Sequence, residues 1–276
     1  MIGLQKQLVI SALMKRKFLI FCFLILSSVV YSKPAVSYPY RNINKPIIRD
    51  ANIKKIIVYS PPRTGSTLVY MVLQYLFETT LGKWISPKRL VLKAHELKHC
   101  LGRLRTFPQS HVVITIRDPL EAYLSRLLIE ERMDTKKALN LSKELARHYN
   151  EVHYFIQNRN NEKLHVLRYE DFENDLDKLL SDIEDGFSVS IPPEKKIAIK
   201  TFFSKETIQE KIKKYKNFRQ YDSCTGLHGN HIATHKPTLS ELFPPLVCKE
   251  ILRNLSQACT QFNYAEQKDV VSDKPK

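Results

Sequence analysis

Lys54-Lys55-Ile56-Ile57-Val58-Tyr59-Ser60-Pro61-Pro62-Arg63-Thr64-Gly65-Ser66-Thr67 is the stretch that decides the fold. Ile56 to Tyr59 is apolar at every position rather than alternating, as a strand covered on both faces of a parallel sheet should be. It runs straight into a turn containing Gly65, and helical spacing follows over Thr67 to Leu81. Such a turn suits an anion. Gly65 lets the backbone approach closely, the amides of Gly65, Ser66 and Thr67 point toward the start of a helix, and Arg63 adds a fixed positive charge. The Walker pattern is not met, because the distal glycine and the lysine before the hydroxyl residue are both missing, which argues against an ATPase. On this segment alone, an ordinary Ser/Thr-capped strand-to-helix turn is the alternative.

The same rhythm continues on both sides of the turn. Val112 to Ile116 and Leu164 to Leu167 are further short aliphatic runs, and Lys88 to Lys93 is a plausible strand. Helical spacing lies between and around them, over Pro119 to Arg132, Lys136 to Gln157 and Pro245 to Phe262. Asp118 before Pro119 supplies an N-cap and a first-turn proline, and Asp171 is read as the start of another helix. Strands alternating with helices predict a three-layer α/β/α domain with a mainly parallel central sheet.

The 276 residues, 43% of them hydrophobic, are enough to bury a core. Lys and Arg outnumber Asp and Glu by 44 to 28, a formal charge of +16, so the expected partner is anionic. Nucleic acid is not indicated, since the basic residues are scattered and form no recognised binding signature. Cys22, Cys100, Cys224, Cys248 and Cys259 contain no C-x-x-C pair; apart from Cys22 they could pair in an oxidising compartment. Lys15, Arg16 and Lys17 precede an apolar run from Phe18 to Leu26, so residues 1–32 read as a targeting segment for the secretory pathway. The run is short for a membrane span, and a cleaved signal peptide is favoured over a signal anchor with membrane association. The expected organisation is that segment, a proline-containing linker over 33–52, a domain over 53–265 and a polar tail over 266–276.

Pro62-Arg63-Thr64-Gly65-Ser66-Thr67 resembles the P-loop-like 5′-phosphosulfate loop of sulfotransferases that use 3′-phosphoadenosine 5′-phosphosulfate (PAPS). The resemblance implies that Arg63 contacts the 5′-phosphate and bridging oxygen while the loop from Thr64 through Gly65, Ser66 and Thr67 holds the phosphosulfate. Leu68 departs from the tryptophan of many cytosolic members. Arg117, at a strand end, and Ser125, eight residues later on the next helix, resemble the family's 3′-phosphate-binding pair. A guanidinium there can pair in bidentate fashion and a helix hydroxyl can add a donor. Leu164 to Phe172 resembles the strand and Tyr-Glu-Asp turn, which places Tyr169 near the adenine, with a packing role as the alternative. Gly226 to Ile232 resembles a late nucleotide-covering loop without its basic residues.

Lys93-Ala94-His95-Glu96 looks like the segment that carries the family's catalytic histidine. Sulfuryl transfer needs a base for the acceptor proton and positive charge on the leaving phosphate, and no metal is required. His95 is accordingly the expected base and Lys93 the charge stabiliser, with Arg63 assisting; an imidazole titrates near neutrality and needs little perturbation. Glu96 is the competing base. The implied function is transfer of a sulfuryl group to a hydroxyl of a small molecule, carbohydrate, lipid or protein, with an anionic acceptor allowed by the charge. The rivals are a small-molecule kinase-like enzyme and an exported basic protein that binds anions or glycans through a degenerate nucleotide site.

Overall fold

The computed structural model describes residues 48, 53–78, 89–129, 134–159, 163–217, 220–222, 227–229 and 237–264. The targeting segment, nearly all of the linker and the tail lie outside them, as do Cys22 and Cys224. Four parallel strands form one sheet in the order β2-β1-β3-β4: β1 is Ile56–Tyr59, β2 Val91–Ala94, β3 His111–Ile116 and β4 Leu164–Arg168. An α/β domain with a parallel sheet is thus what the alternation of runs foretold.

Ten helices complete the described chain: α1 Ser66–Phe77, α2 Leu97–Thr106, α3 Pro119–Ile129, α4 Thr135–Asn158, α5 Tyr169–Phe172, α6 Leu176–Phe187, α7 Pro193–Phe203, α8 Lys205–Ile212, α9 Leu239–Leu242 and α10 Pro245–Gln261. Successive residues of a strand face opposite sides. Ile57, Tyr59, Leu92, Ile114 and Ile116 therefore meet one layer, made by α2, α3, α4 and α10 through residues such as Leu141, Tyr149, Phe155 and Ile251. The alternate residues face α1, which touches β1, β2 and β3.

Three boundaries differ from the sequence reading. Helix α1 gives way to the extended residue Glu78. The buried Glu78 carboxylate accepts the Val91 amide at 2.7 Å and pairs with Arg89 at 2.7 Å, so the helix end is tied to β2. The helix expected at Asp171 is in fact two: the single turn α5, then α6 capped by Asp175, whose Oδ1 accepts the Asp177 and Lys178 amides. Strand β4 lies at the sheet edge and is not covered on both faces, since Val166 is 42% exposed.

Asp118 caps α3 as expected, its Oδ1 accepting from Leu120 at 2.8 Å and Glu121 at 3.1 Å. Among the described residues no helix is long and apolar enough to cross a membrane. Cys100 and Cys248 are buried free thiols.

Candidate active site

In a parallel sheet the carboxyl ends of neighbouring strands deliver their following loops to one edge, where ligands bind. Here β1 delivers the Arg63–Gly65 turn, β2 delivers His95, β3 delivers Arg117 and β4 delivers Tyr169. These residues, with Ser66, Thr67, Lys93 and Ser125, line one cleft of about 600 Å³. Of the residues expected to bind the nucleotide or to act with His95, only Thr64 is absent from the lining. Its buried hydroxyl bonds to the Pro61 carbonyl at 2.9 Å and to Thr115 Oγ1 at 2.8 Å, so the side chain braces β1 against β3. That corrects the expectation for its side chain.

The turn is built for close approach. Arg63 and Gly65 have φ of 71° and 81°, left-handed at alternate positions, and such backbone forms a concavity that draws anions with its amides. Gly65 then starts α1, where the first amides have no helical acceptor. A Cβ at Gly65 would lie 2.4 Å from Tyr169 Cδ2 and 3.1 Å from Phe172 Cε2. Gly65→Ala is therefore expected to destabilise the domain by about 1–3 kcal/mol, combining backbone strain with overpacking. The midpoint of urea unfolding reads this directly; an unchanged midpoint would mean that the Tyr169 ring yields without cost.

The cationic groups converge. Arg63 Nε donates to Ser125 Oγ at 3.1 Å, and Lys93 Nζ donates to Thr67 Oγ1 at 2.7 Å. Lys93 is buried, and its pKa falls to about 7 because of that burial and the positive charge of Arg63. Arg103 fixes the Lys93 backbone by donating to its carbonyl. Arg117 is 7% exposed, lies with its guanidinium 4.5 Å from the Tyr169 ring centre and donates to the Arg63 carbonyl at 3.5 Å. Tyr149, from α4, donates its hydroxyl to the Arg117 carbonyl at 2.6 Å and so holds the strand end.

His95 Nδ1 lies 3.0 Å from the Ser60 carbonyl. A carbonyl only accepts, so Nδ1 carries the proton and Nε2 keeps its lone pair. Burial, then the charge of Lys93, pulls the imidazole pKa to about 3, so it is neutral at working pH; the expectation of a little-perturbed histidine is corrected. Glu96, next in sequence, does not line the cleft; it precedes α2 and pairs with Lys98 at 2.8 Å.

Several lining residues were not singled out individually from sequence, although His228 lies in the Gly226 to Ile232 segment noted there. His228 reaches the cleft from the late loop, and its pKa falls to about 4 through burial and the charges of Arg63 and Lys93. Gly229 fits only because it lacks a side chain, as a Cβ would lie 2.1 Å from the Tyr215 carbonyl oxygen. Phe203, Ser204 and Lys205 come from the junction of α7 and α8, far along the chain with no motif to mark them. Glu121 lines the cleft from α3, one helical turn beyond Arg117, a spacing that could have flagged it.

The domain is thus an α/β fold with a parallel sheet and a cationic cleft at the carboxyl edge of its strands. The model of the Sulfotransferase family matches residues 74–193, which bears out the resemblance to that family read from the motifs. Among solved structures, the chain is similar to mouse sulfotransferase SULT7A1 complexed with PAP, at 13% identity and a TM-score of 0.54, over 76% of this chain and 85% of that one. It also matches sulfotransferase STF9 from Mycobacterium avium, at 14% identity and a TM-score of 0.42, over 70% and 44% of the two chains. A sulfotransferase domain from the curacin biosynthetic pathway matches at 19% identity and a TM-score of 0.38, over 72% and 68%. No curated protein matches the chain.

Proposed function

We propose that this domain transfers a sulfuryl group from PAPS to an acceptor hydroxyl, with His95 as general base. The observation that carries the reading is the convergence on one cleft of the Arg63–Gly65 turn after β1, Lys93 and His95 at the end of β2, and Arg117 after β3. The residues suit a phosphosulfate. The left-handed turn with a glycine that admits no Cβ offers amides to the anion, and the clustered charges of Arg63 and Lys93 call for a negative partner. Arg117, buried and stacked on Tyr169, is placed for the 3′-phosphate, with the Arg63-bound Ser125 beside it. Leu68, Met71, Phe203 and Ile208 give part of the wall an apolar surface on which a base can lie.

In this reading the acceptor oxygen attacks sulfur while the bond from sulfur to the bridging phosphate oxygen breaks. The acceptor proton passes to Nε2 of His95, and Lys93 and Arg63 take up the charge that grows on the leaving oxygen. The base strengthens as the anionic donor binds, because negative oxygens beside Lys93 offset the charge that depresses the imidazole. The acceptor itself is a hydroxyl compound whose class the cleft does not fix.

Thermal unfolding of the full chain with added adenosine 3′,5′-bisphosphate tests the reading. Ligand at 100 times its Kd is expected to stabilise the fold by about 2.7 kcal/mol. No shift at millimolar ligand would favour the non-enzymatic anion-binding alternative.

A further inference from the structure

Arg117 is held by a carboxylate in the same cleft. Its Nη2 lies 3.2 Å from Glu121 Oε2, four residues further along α3. The two partners are unequal in freedom: the Arg117 side chain is 9% exposed and the Glu121 side chain 36%. Arg117 is confined by the Tyr169 ring beneath it and the Arg63 carbonyl beside it. The Glu121 backbone is fixed by its amide, which donates to Asp118 Oδ1 at 3.1 Å, whereas its side chain is partly exposed at the cleft. A phosphate that takes two N–H groups of the guanidinium meets this carboxylate, both as a rival for Nη2 and as a like charge.

We propose that Glu121 is a specificity-determining residue that competes with the nucleotide's 3′-phosphate for the Arg117 guanidinium, and so limits how tightly and how long the nucleotide is held. The inference rests on the placement of the 3′-phosphate at Arg117 in the proposed function. Its consequence is turnover: a product bearing the same phosphate leaves faster because a carboxylate on α3 is ready to take back the guanidinium. A purely structural Glu121, one that merely orients Arg117 for the ligand, would act in the opposite direction.

The test is calorimetric titration and stopped-flow dissociation on the full chain, with adenosine 3′,5′-bisphosphate and with adenosine 5′-monophosphate, which lacks the 3′-phosphate. Glu121→Gln, which keeps the shape and removes the charge, is expected to tighten the bisphosphate about five-fold and slow its release by a similar factor. The monophosphate should be unaffected, and Glu121→Gln should have no effect in an Arg117→Ala background. Glu121→Asp, too short to hold Nη2 from the same backbone position, should tighten the bisphosphate as well. Weaker or unchanged bisphosphate binding, equal tightening of both ligands, or an effect that persists without Arg117 overturns the proposal. If the unaltered chain binds the bisphosphate no better than the monophosphate, the placement of the phosphate at Arg117 has failed, and this inference with it; that pattern shows before any Glu121 variant is made.

Discussion

His95→Ala is expected to lower kcat by roughly 10²- to 10⁴-fold at saturating PAPS while leaving nucleotide affinity nearly intact. The imidazole hangs from the end of β2 with Nδ1 engaged by the Ser60 carbonyl, so the substitution removes an acceptor nitrogen and no cationic contact to the nucleotide. Loss of one buried imidazole also relieves little strain, which keeps the folded state available for the measurement. Glu96→Gln is the control. It alters a carboxylate paired with Lys98 outside the cleft, and activity close to that of the unaltered chain is expected. If Glu96→Gln stops turnover and His95→Ala is nearly silent, the carboxylate is the base. Turnover retained by both would place the base outside this segment.

Arg117→Ala is expected to weaken adenosine 3′,5′-bisphosphate by about 2–5 kcal/mol, the cost of truncating a desolvated charged contact, and to leave the monophosphate much less affected. The guanidinium is buried, so solvent screening does little to reduce the effect. Because Arg117 also packs on Tyr169, the variant's unfolding midpoint without ligand should be measured alongside. Equal losses for both nucleotides would mean that the variant distorts the cleft as a whole and that Arg117 does not read the 3′-phosphate.

Much of this site could be read from the sequence because its residues sit at strand ends. A short aliphatic run followed by Pro62-Arg63-Thr64-Gly65-Ser66-Thr67 specifies a buried strand, a tight turn and a helix start through local physics alone: side-chain burial, glycine's access to positive φ and unpaired first-turn amides. Asp118 and Pro119 mark the start of α3 in the same local way. Once strands are parallel, their carboxyl ends meet, and residues as far apart as Arg63, His95, Arg117 and Tyr169 become neighbours.

Other features depend on contacts that no local pattern announces. Thr64 looks like any loop hydroxyl in sequence, and only the adjacency of β1 and β3 gives it Thr115 as a partner and turns it inward. The exposure of Val166 follows from how little packs over that face of β4, a property of tertiary packing and not of the aliphatic run itself. His95 carries an unperturbed histidine's promise in the sequence; burial and the charge of Lys93 remove it in the fold. His228, Phe203 and Lys205 join the cleft from more than thirty residues beyond Tyr169 because α7, α8 and the late loop return to the carboxyl edge of the sheet. Sequence thus determined the strand-turn-helix, the cationic motif residues and the alternation that makes the sheet parallel, all set by short-range sterics and burial. Tertiary structure decided which side chains face the cleft and which charges are desolvated, since these depend on long-range packing that brings distant segments within a few ångströms.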